Sequence, residues 1–220
     1  MQNINLNKGL IVLGGLKNGG KTRFALQLAN QLAQKEKVLY LSYQDYPEKL
    51  YATLQRMGCE LSEKLKIRSN LAYYGAGFFI QVLQLIKQKG FTTLVLDDME
   101  CLNQFRDFDS YDSLEEDNTD PLHFIADLMD IRIIVLVNII NDLWKEATPF
   151  PKLRNFVYCR NLAMDAKQVF ALYYPYQMGI QKDLDGNSTQ NRIELHCLKN
   201  DLHIDQVYEF DNDSLRIFPV

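Results

Sequence analysis

A glycine-rich segment near the start of the chain constrains the fold more than any other feature of the sequence. It spans residues 15–22, reads GLKNGGKT and matches the pattern G-x-x-x-x-G-K-[ST] in full. A short apolar run at residues 10–13 precedes it, and an amphipathic stretch with Phe24, Leu28 and Leu32 on one helical face follows it. A strand, a glycine-rich loop and a helix in this order form a phosphate-binding loop. We therefore expect an α/β fold with a nucleotide site.

The loop residues have distinct predicted roles. The glycines let backbone N–H groups turn inward around phosphate groups, and the following helix presents its positive N-terminal end to them. Lys21 is predicted to reach the β- and γ-phosphates of ATP, and the Thr22 hydroxyl to ligate Mg²⁺. The predicted nucleotide contacts are Gly15, Lys17, Asn18, Gly19, Gly20, Lys21 and Thr22. The alternative is a strand-to-helix turn that binds nothing.

An acidic residue at the end of a buried strand completes the predicted metal site. Asp97 ends the apolar run at residues 93–97 and is predicted to hold the magnesium shell together with Thr22. The alternative is that Asp97 and Asp98 form a turn or a helix cap. Between Lys21 and Asp97 there is room for a further βα unit. This spacing favours a RecA-like sheet, with another strand between the two motif strands, over a compact small-molecule kinase.

Short apolar runs alternate with amphipathic stretches along the whole chain. This pattern predicts a single RecA-like ATP-binding domain over residues 1–220, with a mainly parallel, twisted sheet and helices on both faces. Strands are expected at residues 38–41, 67–74, 93–97, 132–138, 169–174 and 193–198, and a closing β-hairpin at 207–218. Helices are expected from Pro47, at 78–86 and at 121–130. Long loops are expected at 105–120, 144–156 and 177–190.

Composition limits the classes of protein that the chain can belong to. The chain has 220 residues, 47% of them hydrophobic, and a net charge of −4, which fits one globular domain and gives no overall basic surface for nucleic acid. Apolar runs of about eight residues are too short to cross a bilayer, which takes about 20, so we expect no membrane contact. The polar start predicts no secretory signal, and we expect a cytoplasmic protein. The four cysteines are scattered, which favours reduced thiols over a zinc site.

The order of the segments resembles the C-terminal ATPase domain of DnaB-type replicative helicases. The similar segments are residues 10–22, 38–54, 94–102, 134–141, 152–176 and 193–218, which together cover most of the chain. The phosphate-binding loop is shared by many ATPases. The more specific part runs from Leu153-Arg154 through Asp165-Ala166 to the strand at residues 169–173. The resemblance implies a RecA-like fold, ATP and Mg²⁺ as ligands, and a role in DNA replication, without the family's N-terminal domain.

The resemblance also implies roles for polar residues at strand ends. Where the family has Ser-Leu-Glu, with the glutamate as catalytic base, this chain has Ser42-Tyr43-Gln44. An amide orients water but does not take its proton, so hydrolysis is expected to be weak unless Asp45 substitutes. Gln44 and Asp45 could alternatively only cap or start the next helix. Asn138 stands at the position of the γ-phosphate sensor, or is a buried asparagine satisfied by the backbone.

Two further family features are altered in this sequence. The Lys-x-Arg pair that acts on a neighbouring subunit's nucleotide is replaced by Lys199-Asn200-Asp201, so that Lys199 alone is kept, or the segment is a polar turn. The first DNA-binding loop corresponds to residues 105–120, where seven acidic residues stand against one base and would repel phosphate. The second, residues 144–156, keeps Trp144, Lys145, Lys152 and Arg154, which could contact a single strand or be ordinary loop residues.

The sequence therefore favours an ATP-binding protein of the DnaB-helicase type with weakened hydrolysis. A nucleotide-binding regulatory or scaffold protein with little ATPase or helicase activity is the alternative, with residues 105–120 as a protein contact. A small-molecule phosphotransferase ranks last because no arginine-rich lid is visible. Single-stranded DNA, a second copy of the chain and another protein are the candidate partners.

Overall fold

The fold is a central β-sheet with helices on both faces, as the alternating sequence pattern predicts. The computed structural model describes residue 4 and residues 6–69, 76–97, 121–139, 150–156, 159–199, 206–211 and 216–219. The strands in these parts are β1 (Gly9–Gly15), β2 (Val38–Ser42), β3 (Leu65–Ser69), β4 (Thr93–Asp97), β5 (Arg132–Asn138), β6 (Gln168–Tyr173), β7 (Arg192–Lys199), β8 (Gln206–Phe210) and β9 (Ile217–Pro219). The helices are α1 (Lys21–Leu32), α2 (Pro47–Arg56), α3 (Ala76–Lys89), α4 (Pro121–Leu128) and α5 (Arg160–Asp165).

The strands form one sheet in the order β3-β2-β4-β5-β1-β6-β7-β8-β9. Neighbouring strands from β3 to β6 pair in parallel, and β7, β8 and β9 continue the sheet in antiparallel fashion. The β5 strand lies between β1 and β4, which carry the two predicted motifs, and this confirms the expectation from the spacing. The predicted C-terminal hairpin is confirmed as β8 and β9. The carboxyl ends of the parallel strands meet at one edge, where ligands bind in open α/β sheets.

Each face of the sheet has its own hydrophobic core. On one face α1 and α2 pack through Phe24 and Leu54 against strand residues such as Tyr40. On the other face α3, α4 and α5 cover the sheet through residues such as Ile86 and Leu162. Because the central strands are covered on both sides, all residues of β1, β2 and β4 are buried, which explains why they read as unbroken apolar runs.

Some predicted boundaries are wrong by a few residues. The strand expected at residues 67–74 begins earlier, at Leu65, because Leu65 and Ile67 alternate with exposed neighbours and share the buried face. Residues 70–75 lie outside the described parts, as do residues 105–120 and 140–149. The described end of the second loop forms a short 3-10 helix, Leu153–Asn155.

The loop predicted at residues 177–190 is confirmed as largely irregular structure. It contains a short 3-10 helix, Tyr176–Met178, and a turn in which Asp183 Oδ1 accepts hydrogen bonds from the backbone N–H groups of Asp185 and Asn187, at 3.0 and 2.8 Å. This turn joins the parallel part of the sheet to the antiparallel strands, so the loop's two ends lie beside the edge where the candidate site forms. No helix in the described parts of the chain is both long and apolar enough to span a membrane.

Candidate functional site

The phosphate-binding loop is tightly wound at the carboxyl end of β1. The Gly19 N–H donates to the carbonyl oxygen of Leu16 at 2.9 Å, which closes the turn. Gly20 precedes α1 with φ of 74°, a left-handed conformation that favours glycine. A Cβ atom at Gly20 would also lie 2.5 Å from the Tyr174 hydroxyl oxygen. Since Gly20 has no side chain to cover them, the first N–H groups of α1 point toward the loop, as an anion site requires.

The ammonium group of Lys21 is held at the centre of the loop. The side chain is buried, and its Nζ donates to the carbonyl oxygens of Gly15 at 3.1 Å and Leu16 at 2.9 Å, and to Asn138 Oδ1. Asn138 ends β5 directly beside Gly15 in the sheet register. The structure therefore brings the predicted sensor and the predicted phosphate-binding lysine together through their side chains. The alternative of an asparagine satisfied by the backbone does not describe this contact.

Asp97 lies next to Thr22, as the metal-site prediction requires. Thr22 Oγ1 donates to Asp97 Oδ1 at 3.1 Å, and the Tyr40 hydroxyl donates to Asp97 Oδ2 at 2.7 Å. The carboxylate is 4% exposed. A hydroxyl and a carboxylate oxygen are the hard ligands that Mg²⁺ prefers, and Mg²⁺ sites usually add phosphate oxygens and water to one or two protein groups. The donor set thus fits Mg²⁺ bound together with a phosphate ligand.

The end of β2 places Gln44 and Asp45 beside the loop in different ways. The Ser42 Oγ accepts hydrogen bonds from the backbone N–H of Asp45 at 3.0 Å and of Gln44 at 3.4 Å, which turns the chain toward α2. Gln44 is exposed and lines the cleft, whereas the Asp45 carboxylate forms an ion pair with Lys49 one helical turn along. No side chain makes a capping hydrogen bond at the start of α2, so the cap interpretation of these two residues is wrong.

A cleft of about 670 Å³ opens above the loop. This size is within the usual range for sites that bind small molecules. Its lining includes five basic side chains and one acidic side chain: Lys17, Lys21, Arg23, Lys49, Arg56 and Asp45. Since the whole chain carries a net charge of −4, the cleft is a local concentration of positive charge. Such a cleft attracts polyphosphate ligands.

Tyr174 forms a wall of the cleft above Gly20. It follows β6 directly and is half-buried. Burial raises the pKa of the Tyr174 phenol well above its usual range, and the nearby positive charge of Arg23 opposes that shift only in part. Tyr174 therefore stays neutral at physiological pH and offers an aromatic ring with a hydroxyl donor to a ligand in the cleft.

Lys199 is not part of this cleft. It ends β7 opposite Val169 near the start of β6, whereas the loop follows the end of β1. Its Nζ donates to the carbonyl oxygen of Met164 at the end of α5. Within one chain Lys199 therefore stands apart from Lys21. Asn200 and Asp201 lie outside the described residues.

Several residues around the cleft carry no signal in the sequence. Tyr40 reads as one of several core residues of a buried strand, and Tyr174 as the residue after another. The exposed α2 side chains of Lys49 and Arg56 read as the polar face of an ordinary helix. Their spacing of seven residues places both on one helical face, which is the only hint available from sequence.

Comparisons with known proteins agree on the fold. The sequence matches no protein-family model and no curated protein. Among solved structures, the ATPase domain of a DnaB-like helicase superposes with a TM-score of 0.73 at 15% identity, over 97% of this chain and 85% of that one. A DnaB-like replicative helicase, solved with its interactions with primase, superposes with a TM-score of 0.74 at 15% identity, over 96% of this chain and 58% of that one.

The chain has the fold of a DnaB-like helicase ATPase domain. The likeness extends over nearly the whole chain, so it includes the antiparallel strands as well as the parallel core. This confirms the RecA-like α/β fold and the structural resemblance inferred from the sequence.

Proposed function

We propose that this chain is an ATP-binding protein of the RecA-like type, related in function to DnaB-like helicase ATPase domains, with weakened hydrolysis. The observation that carries the proposal is the convergence of Lys21, Thr22 and Asp97 at the end of a complete phosphate-binding loop. Each of these side chains comes from a different part of the motif pattern, and the fold brings all three to one edge of the sheet.

Phosphate binding follows from the chain's own donors. The N–H groups at the start of α1 point to the loop, and Lys21 adds a positive charge that is already oriented by Gly15, Leu16 and Asn138. A γ-phosphate oxygen would take the place of one of these acceptors around the ammonium group. Asn138 is next to that position, which supports its predicted role as a sensor of the γ-phosphate.

Thr22 and Asp97 would hold the magnesium ion that accompanies ATP. The Thr22 hydroxyl would ligate the ion, and Asp97, behind it, would accept hydrogen bonds from the ion's water ligands. The ion, when bound, neutralises charge on the phosphates. The remaining positive charge comes from Lys17, Arg23 and the other basic side chains of the cleft.

Water activation is the weak point of the proposed ATPase. Gln44 lines the cleft and can orient a water molecule, but it cannot accept the proton. Asp45 is the nearest acidic residue in the sequence, and its ion pair with Lys49 stabilises the charged carboxylate away from the water position. We infer slow hydrolysis, in which the chain spends most of each cycle with ATP bound.

Single-stranded DNA and a second copy of the chain are the proposed partners. In a ring-type assembly Lys199 would serve a neighbour's nucleotide, because within its own chain it stands apart from the cleft. Residues 105–120 would oppose DNA binding through their negative charge, so any DNA contact is expected to be weak.

The test is ATP turnover with and without single-stranded DNA, with Lys21→Ala as the matched control. We expect slow phosphate release by the wild-type chain that single-stranded DNA increases and that Lys21→Ala removes. Tight ATP binding with no turnover under either condition would contradict the ATPase part and would favour the regulatory or scaffold alternative. Transfer of phosphate to an acceptor other than water would contradict both.

A further inference from the structure

A tyrosine hydroxyl lies in the hydrophobic core directly behind the proposed metal site. Tyr40 is in the middle of β2 and is fully buried, and its hydroxyl donates to Asp97 Oδ2 at 2.7 Å. Its neighbours in the strand, Leu39 and Leu41, are apolar and pack on the opposite face. Nothing in the phosphate-loop motif requires a tyrosine at this position.

The sheet register brings the two groups together. Tyr40 stands opposite Val95, and Asp97 stands two residues further along β4. Two residues of a parallel strand span about 6.6 Å, a distance that the long side chain of a tyrosine covers and that a shorter side chain does not. Asp97 and Tyr40 also point to the same face of the sheet, since Val95 and Tyr40 belong to the same core cluster.

The burial of Asp97 makes this hydrogen bond important. A buried carboxylate is costly unless donors surround it, and here two hydroxyl groups donate, one to each oxygen. Since Tyr40 occupies Oδ2, the carboxylate plane is fixed and Oδ1 remains directed at Thr22. Partners behind a metal-site carboxylate set its orientation in this way.

We propose that Tyr40 is a positioning residue for Mg²⁺-dependent nucleotide binding, which holds Asp97 through Oδ2 so that Oδ1 faces Thr22 and the metal. The proposal rests on the proposed function, because it requires ATP in the cleft. It goes beyond that function by assigning a role to a core residue that touches neither nucleotide nor metal.

The test compares Tyr40→Phe with a matched control, Tyr208→Phe. Tyr208 is also fully buried in the same core cluster, but its hydroxyl contacts Gln206 instead of the site. ATP affinity is measured by calorimetry with excess Mg²⁺ and again with a chelator. We expect Tyr40→Phe to reduce the gain in affinity that Mg²⁺ gives by about tenfold, the scale of one hydrogen bond to a charged group, and to leave the metal-free affinity within about twofold. Tyr208→Phe should change neither value.

A double-variant cycle asks whether Tyr40 acts through Asp97. In the Asp97→Asn background, Tyr40→Phe should have no further effect on the Mg²⁺ dependence. An equal effect in both backgrounds would overturn the proposal, as would a Tyr40→Phe chain that loses affinity equally with and without Mg²⁺, since that result indicates general damage to the fold.

A measurement on the unmodified side chain covers the case in which Tyr40→Phe does not fold. In protein labelled with ¹³C at tyrosine Cζ, the Tyr40 signal should move when Mg²⁺ is added to the ATP-bound chain, and the Tyr208 signal should not. An unmoved Tyr40 signal would overturn the proposal. If the wild-type and Lys21→Ala chains bind ATP equally poorly, the proposed function itself fails; normal Mg²⁺-dependent binding by Tyr40→Phe overturns only the role of Tyr40.

Discussion

Two oppositely charged side chains, Lys21 and Asp97, determine what the site can do. Both are buried, and both are surrounded by polar partners: carbonyl oxygens and Asn138 around the ammonium group, hydroxyl groups around the carboxylate. These partners lower the cost of burial and fix the direction of each charge. The site is thus prepared for a phosphate ligand by side chains that hold one another in position.

At Gln44 a single substitution tests the proposed cause of slow hydrolysis. Gln44→Glu restores a carboxylate of nearly the same shape at the position where the family has its catalytic base. Because general-base catalysis contributes about 10²- to 10⁴-fold, we expect turnover to rise by about 10²-fold while ATP affinity changes little. The measurement is steady-state phosphate release at saturating ATP.

Two controls interpret the Gln44→Glu result. Asp45→Asn should leave turnover within about twofold, since Asp45 is paired with Lys49. Lys21→Ala combined with Gln44→Glu should abolish the gain. If Gln44→Glu has no effect and Asp45→Asn stops turnover, then Asp45 is the base and the assignment of Gln44 is wrong.

At the scale of helices and strands, the sequence predicted most of the sheet and little of its exact boundaries. Buried parallel strands such as β1 and β4 are unbroken apolar runs, which are visible without a structure. The start of β3 was missed because its alternating pattern is short and only the register with β2 shows that Leu65 belongs to it. Boundaries of this kind depend on contacts between segments far apart in the chain.

An ion-pair network ties several elements together at the edge of the sheet opposite the cleft. Arg132 at the start of β5 contacts Glu36 after α1, donates to Thr93 Oγ1 of β4 at 2.8 Å, and donates to the carbonyl oxygen of Leu6 at 2.7 Å. The Arg132 side chain is only 12% exposed. The network therefore connects the N-terminal segment with the starts of two central strands.

Removal of Arg132 should destabilise the fold without changing the site. Arg132→Ala leaves the Glu36 carboxylate and the Leu6 carbonyl without this partner, so we expect the free energy of unfolding to fall by about 2 kcal/mol. Urea denaturation followed by circular dichroism measures the change. Lys8→Ala, which breaks an exposed ion pair with Asp130, is the control and should cost less than about 0.5 kcal/mol. Equal effects of the two variants would contradict the importance of the network.

For the whole molecule, net charge is a poor guide to ligands because the charge is unevenly distributed. Residues 105–120 carry seven acidic residues and one base, a sum of −6, so the remaining residues sum to +2. The cleft itself has five basic side chains and one acidic one. A chain that is acidic overall therefore has an electropositive site, and the negative charge of residues 105–120 remains a local argument against strong DNA binding.

The sequence predicted the motif residues of the site but not the residues behind them. Lys21, Thr22, Asp97 and Asn138 were predictable because a phosphate-binding loop and the ends of parallel strands have fixed spacings and meet at one edge. Tyr40 and Tyr174 were not, because their roles arise from which strand lies beside which. Lys199, predicted as a contact to a neighbour's nucleotide, stays a prediction that only an assembly can test.

The central claim is that the cleft binds ATP through its phosphates, and calorimetric titration of the chain with ATP in the presence of Mg²⁺ tests it most directly. We predict saturable binding at one site, weakened at least 100-fold in Lys21→Ala, since one buried charge-assisted contact to phosphate is lost. The matched control, Lys66→Ala on the exposed side of β3, should bind ATP as the wild type does. Absence of binding by the wild-type chain, or equal binding by Lys21→Ala, would contradict the account.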